Sequence, residues 1–420
     1  MDYKAPRRYY SHGVVARQQD FATDIVTRRR PYVPYDRPNK FSRSLVWTSK
    51  EYKSPEGNNM PRTNDVSPKP PVLGLARKNA ACGPMRSSSL RKWVCKYWKD
   101  GKCKRGEQCQ FLHSWSCFPG LAMVASLEGH NKELKGIALP EGSDKLFSVS
   151  IDGTLRVWDC NSGQCVHSIN LEAEAGSLIS EGPWVFLGLP NAIKAFNVQT
   201  SQDLHLQAAG VVGQVNAMTI ANGMLFAGTS SGSILVWKAT TDSESDPFKY
   251  LTSLEGHSGE VTCFAVGGQM LYSGSVDKTI KMWDLNTLQC IMTLKQHTGT
   301  VTSLLCWDKC LISSSLDGTI KVWAYSENGI LKVVQTRRQE QSSVHALSGM
   351  HDAEAKPIIF CSYQNGTVGI FDLPSFQERG RMFSTTHTIA TLTIGPQGLL
   401  FSGDESGNLR VWTLAAGNKV

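Results

Sequence analysis

The chain has 420 residues, 41% of them hydrophobic, and a net charge of +8, which is room for about two or three domains and at least one large buried core. No apolar run reaches the roughly eighteen residues of a membrane helix, and the opening MDYKAPRRYY lacks the apolar stretch of a secretory leader. A membrane span and a secreted disulfide framework are therefore not expected; a soluble nuclear or cytoplasmic protein is, with its twelve cysteines reduced and available for metal binding or core packing.

The charge is divided along the chain. Residues 1–113 hold 24 Lys and Arg against 9 Asp and Glu, while residues 114–420 hold 20 against 27. An excess of +15 followed by −7 is the pattern of an arm that meets nucleic acid or an acidic partner; a solubilising tail is the plainer alternative. Residues 1–88 have no apolar periodicity, are punctuated by Pro31, Pro34, Pro38, Pro68, Pro70 and Pro71, and carry the run Arg28-Arg29-Arg30. With little to bury, such a segment does not offset its ordering entropy, so a disordered basic arm is expected there.

Residues 89–116 contain KWVCKYWKDGKCKRGEQCQFLHSW, in which Cys95, Cys103, Cys109 and His113 stand as Cys-x7-Cys-x5-Cys-x3-His. Three thiolates and an imidazole at this spacing predict one closed, tetrahedral structural Zn2+ site. Gly101 and Gly106 supply the tight turns that gather the ligands. Cys82 and Cys117 lie outside the pattern and read as free thiols. The spacing and the CQFLH ending resemble the CCCH zinc fingers, and that resemblance implies binding of single-stranded RNA. Such recognition splays bases onto aromatic or guanidinium planes beside basic side chains. The candidate contacts are Lys96, Trp98, Lys102, Lys104, Arg105 and Phe111, with Tyr97 and Lys99 also in the finger. Phe111 matches a base-stacking position of the family, whereas Arg105 stands where RNA-binding members commonly carry an aromatic. Trp93 and Trp115 are expected to pack against the zinc core and the following domain.

From residue 117 to residue 420 a strand pattern repeats seven times: Asp152-GTLRV-Trp158, Asn191-AIKA-Phe196, Ser231-GSILV-Trp237, Asp277-KTIKM-Trp283, Asp317-GTIKV-Trp323, Asn365-GTVGI-Phe371 and Ser406-GNLRV-Trp412. Alternation of period two within each copy, at intervals near forty residues, predicts short antiparallel strands grouped into blades. The pattern resembles the WD40 repeat, which implies an all-β, seven-bladed propeller behind the small finger. The first, fourth and fifth copies keep the full set His130, Ser148, Asp152 and Trp158; His257, Ser273, Asp277 and Trp283; and His297, Ser313, Asp317 and Trp323. In the family these side chains form a buried hydrogen-bonded chain. The second, third and sixth copies lack the His, and the seventh has Ser406 for Asp, so those blades are expected to rest mainly on apolar packing and neighbour contacts. Leu121–Leu127 is expected to complete the last blade and close the ring, which removes open sheet edges. Asp242 to Pro247 reads as an acidic insertion between the third and fourth blades.

Basic arm, single finger and seven repeats together resemble the plant CCCH-finger WD40 proteins, and the resemblance implies a nucleic-acid-binding role. The leading expectation is a non-enzymatic adaptor: finger and arm contact nucleic acid, with single-stranded RNA the first choice, and the propeller faces recruit proteins. A protein-interaction scaffold, such as a ubiquitin-ligase substrate receptor with a structural finger, and a DNA-binding transcription regulator are the alternatives. The Ser–His–Asp sets recur once per blade beside a Trp, which marks packing and not a catalytic triad. No small-molecule substrate is implied.

Overall fold

Alternating apolar residues bounded by Gly and Asp turns form strands throughout the larger part of the chain. The structure, a computed structural model, describes residues 94–414 apart from 208–209, 241–246, 340–341, 353 and 384–386; the predicted basic arm, Trp93 and most of the acidic insertion lie outside the described residues. Among the described residues, seven four-stranded antiparallel sheets follow one another around a ring. Blades one to six are 134–170, 177–207, 215–254, 261–294, 301–338 and 344–383. The seventh combines 389–414 with Leu121–Leu127, whose strand pairs antiparallel with Leu409–Leu414 from Leu121↔Leu414 to Leu127↔Leu409. The N-terminal strand thus seals the ring as expected. The core lies between blades: each apolar cluster draws on two neighbours, as where Phe226 and Val236 of blade three meet Leu271 and Trp283 of blade four. Inner-strand hydroxyls stitch the ring, with Ser177, Thr262 and Thr302 donating to the carbonyls of Val215, Val301 and Val344 in the next blade at 3.1, 2.5 and 2.7 Å.

The full tetrads are made as expected. In blade four the Trp283 indole N–H donates to Ser273 Oγ at 2.9 Å, Ser273 Oγ meets His257 Nε2 at 2.7 Å, and His257 Nδ1 meets Asp277 at 2.8 Å. The Asp carboxylate only accepts, so Nδ1 carries the ring proton toward it; in the neutral imidazole Nε2 then accepts from the Ser hydroxyl, whose oxygen accepts from Trp. Blades one and five repeat this chain. A fifth member was not anticipated: Thr154, Thr279 and Thr319 each donate a hydroxyl to the turn Asp at 2.6 Å.

In the incomplete blades polar pairings add to the expected apolar packing and neighbour contacts. In blade seven the carboxylate is displaced: Asp404, two residues before Ser406, accepts the N–H groups of Ser406 and Asn408 at 3.0 and 3.1 Å, and Trp412 still donates to Ser402 at 2.8 Å. Blade three substitutes a triangle of hydroxyls, Thr229, Ser231 and Ser233, each 2.9 Å from the others. In blade two Asn191 takes φ 59°, a left-handed conformation that Asn tolerates, and accepts from Val212 and Gly213 at 2.9 and 2.7 Å. Blade six borrows from its neighbour, as Arg337 of blade five stacks over Phe371 at 4.1 Å and donates to the Phe376 carbonyl at 2.7 Å. Each incomplete blade thus carries another pairing where the tetrad is lost, although in blade six His345 Nε2 and Tyr363 Oη are buried without a hydrogen-bond partner among the described residues.

Burial pushes His130, His257 and His297 below the ordinary histidine range, against the opposite pull of their Asp partners. The folded state keeps these rings neutral, whereas the unfolded chain takes up protons below about pH 6.5. Their contribution is therefore present above that pH and is lost progressively as pH falls from there toward their lowered folded-state values. The urea midpoint is expected to drop between pH 7.5 and pH 5.5; an unchanged midpoint would contradict the neutral-imidazole assignment.

Candidate metal centre and nucleic-acid interface

The finger has almost no secondary structure to hold it: one four-residue helix, Lys96–Lys99, a 3-10 turn, Gly106–Gln108, and a parallel bridge Val94↔Leu112. Cys95 begins the helix, its N–H bonded to the Leu112 carbonyl at 2.8 Å and its carbonyl accepting from Trp98 and Lys99. Gly101 and Gly106 take φ 65° and 50°, left-handed turns that glycine adopts without strain. These turns bring Cys95, Cys103, Cys109 and His113 together, so that one ligand atom from each lies within 4.8 Å of all the others. Cys95 and Cys109 sulfurs are 3.6 Å apart, close to the roughly 3.8 Å that a tetrahedron with 2.3 Å Zn–S bonds requires. His113 Nε2 is buried with no hydrogen-bond partner among the described residues, the condition of a ring nitrogen that faces a metal.

The thiols themselves need a cation. Burial disfavours the Cys95 thiolate, but the Trp98 N–H, His113, Cys109 and Cys103 outweigh it and pull the thiol down to about 7. Cys109 moves up: the Phe111 N–H favours its thiolate, yet burial and the sulfurs of Cys95 and Cys103 prevail. Three thiolates do not share this space without a dication between them. The donor set fits one Zn2+, held by Cys95, Cys103, Cys109 and His113, and the ion supplies folding free energy and no reaction.

The finger is joined to the propeller along a seam. Residues 115–118 add to the outer strand of blade six, Glu378–Phe383: Ser116 bridges Met382, Phe383 N–H donates to the Trp115 carbonyl, and Cys117 N–H donates to the Arg381 carbonyl, the last two at 2.9 Å. Cys117 Sγ accepts the Arg381 N–H at 3.2 Å, and burial pushes that thiol up, so it lies in the seam as an unionised thiol outside the metal cluster. Phe118 is buried in the cluster shared by blades six and seven. Trp98 lies parallel to the His113 ring at 5.9 Å and tilts against Trp115 at 5.7 Å, while Lys99 and Arg410 each approach the Trp115 ring to 5.4 Å. Trp115 packs as the sequence indicates.

The remaining candidates face away from these contacts. Lys96, Lys102, Lys104 and Arg105 are exposed, and Phe111 is 46% exposed. Among the described residues of the finger Tyr97 is the most open aromatic at 64%, while Trp98, which stacks on a metal ligand, is half-buried. The pattern Cys-Lys-Tyr-Trp does not say which of two adjacent aromatics on a helical turn points inward.

Comparison with known proteins agrees with this anatomy. Residues 94–114 match the family described as "Zinc finger C-x8-C-x5-C-x3-H type (and similar)", and 248–284 and 288–324 match "WD domain, G-beta repeat". Residues 122–258 match the nucleoporin Nup120/160 β-propeller domain. The chain is 75% identical to "Zinc finger CCCH domain-containing protein 59" of Arabidopsis thaliana, covering 100% of this chain and 94% of that one. It is 50% identical to "Zinc finger CCCH domain-containing protein 17" of Oryza sativa subsp. japonica, covering 76% and 72%. Among solved structures, the WD40 propeller of Doa1 superposes with a TM-score of 0.59 at 21% identity over 71% of this chain and 98% of that one, a likeness of fold alone. By metal cluster, repeat pattern and full-length similarity, the chain belongs to the CCCH zinc-finger proteins that carry WD40 repeats.

Proposed function

We propose that this protein is a non-enzymatic, nucleic-acid-binding adaptor whose finger takes single-stranded RNA while the propeller recruits other proteins. The observation that supports this best is the outward face of the finger. Two aromatic rings, Tyr97 and Phe111, and the basic Lys96, Lys102, Lys104 and Arg105 are all exposed on a finger whose following residues 115–118 pair with the propeller. Exposed rings in a basic setting are the materials of single-strand stacking. On this reading Trp98 positions His113 and Trp115, and Tyr97 takes the stacking role beside Phe111.

Filter binding of a uridine- and adenine-rich oligonucleotide to the full-length protein tests it. Phe111→Ala and Tyr97→Ala are each expected to cost about 1–3 kcal/mol, roughly ten-fold in affinity at constant salt. Lys102→Ala and Lys104→Ala are expected to lower the salt slope by about one each and leave base preference alone. The seam also suits a finger that is only a fold element, which is the scaffold reading. No binding at low salt, or equal binding by all four variants and the parent, would favour that alternative.

A further inference from the structure

The outer edge of blade six is covered by residues 115–118, and strand register shows which residues receive that segment. Phe360 faces Ile370, Val368 faces Met382, and in blade seven Arg410 and Trp412 face Ser402 and Leu400. Phe360, Val368, Met382 and Trp412 share the cluster that buries Phe118 and packs Trp115, with Arg410 over the Trp115 ring. In the same register of blades one and two stand Phe147, Leu155, Ile169, Lys194 and Phe196. There no segment among the described residues covers the cleft. All six residues of the outer strand Cys165–Asn170 are exposed, Ile169 at 47%, and those five counterparts line a cavity of about 160 Å³.

Its origin is visible in the repeat. Phe196 occupies the position that carries Trp412 in blade seven, and Leu187 stands where Ser402 bonds that indole, so the cleft has a smaller ring and no hydroxyl to hold it; its polar lining is Lys194, ion-paired with Asp203 at 3.5 Å. An apolar cavity of roughly 150 Å³ admits benzene. An exposed strand beside it presents unpaired backbone groups that accept another strand.

We propose that the cleft between blades one and two is a docking site for an extended segment of another protein, which adds as a strand to Cys165–Asn170 and inserts one aromatic side chain. The segment's backbone pairs with the Asn170 N–H and the Ser168 carbonyl, the counterparts of the Phe383 N–H and Arg381 carbonyl that hold residues 115–118. Its ring enters where Trp115 lies in the occupied cleft, beside Lys194 in the place of Arg410. His167 narrows the choice of partner. Its counterpart is Gly380, where a Cβ would meet Phe118 at 2.9 Å. A second aromatic three residues after the first, as in Trp115-Ser-Cys-Phe118, therefore has no place, and the partner carries a small residue there.

Fluorescence anisotropy with the full-length protein and a fluorescein-labelled peptide Gly-Ser-Trp-Ser-Ser-Gly tests the proposal. Saturable binding is expected, weakened about ten-fold or more when the peptide's Trp is replaced by Ala, as for a buried aromatic anchor. Phe196→Trp, which restores the ring that fills other blades, and Ile169→Arg, at an exposed position that does not threaten folding, are each expected to weaken it to the same degree. No binding of the Trp peptide, equal binding of the Ala peptide, or full binding retained by both protein variants would overturn the assignment.

Discussion

Purified protein is expected to contain one equivalent of zinc, and a strong chelator, or Cys103→Ser, is expected to unfold residues 94–113 while the propeller keeps its own melting transition. The finger has one four-residue helix, one 3-10 turn and a single bridge, so little besides the metal holds it. Structural zinc supplies about 10–16 kcal/mol of folding free energy in comparable peptides, far more than those elements provide. The effect reaches the seam, because the His113 ring stacks on Trp98, which leans on Trp115. Loss of metal is expected to disturb those indoles, giving a change in near-ultraviolet circular dichroism that the buried blade tryptophans do not show. Elemental analysis finding less than half an equivalent of zinc, or a chelated protein with an unchanged indole signal, would refute the assignment.

Trp283→Ala is expected to destabilise the propeller by about 3–5 kcal/mol, the cost of removing a large aromatic from a closed core. Trp283 is 2% exposed, packs across the boundary of blades three and four, and donates to Ser273, so both a cavity and a broken polar chain result. Asp277→Ala is expected to cost less, roughly 1–3 kcal/mol. It takes from Thr279 its carboxylate acceptor and leaves His257 Nδ1 only the Thr279 hydroxyl at 3.3 Å, but opens little space. Urea melts of the two variants beside the parent decide this. Equal midpoints for parent and Trp283→Ala would show that the blade does not depend on its tetrad, and the reverse order of the two variants would show that polar pairing outweighs packing.

Two features were legible in the chain because they are local. Cys95, Cys103, Cys109 and His113 lie within nineteen residues of sequence, and chemistry dictates what three thiols and an imidazole so close together do. The blades were legible because each carries its own turn, strand alternation and aromatic, and because seven copies exclude coincidence. Even the closure by Leu121–Leu127 could be read, since an apolar strand without a blade of its own must pair with one that lacks an edge.

What the chain did not disclose depends on contacts between distant segments. Asp404 replaces the missing turn carboxylate because backbone geometry brings it to the N–H groups of Ser406 and Asn408, and a pattern that expects Asp at one place does not look two residues earlier. Arg337 supports blade six from blade five. The docking of the finger joins Cys117 to Arg381 across 264 residues of sequence; the seam's strand pairing consists of backbone hydrogen bonds, which any sequence can form and none advertises. That seam places Trp98 against the metal site and leaves Tyr97 in the open, a choice between adjacent rings that helical periodicity over four residues is too short to make. Residue types and their spacing determined the metal site and the repeat. Only the tertiary structure decided which surfaces face each other, because burial is a property of the neighbours a side chain meets and not of the side chain alone.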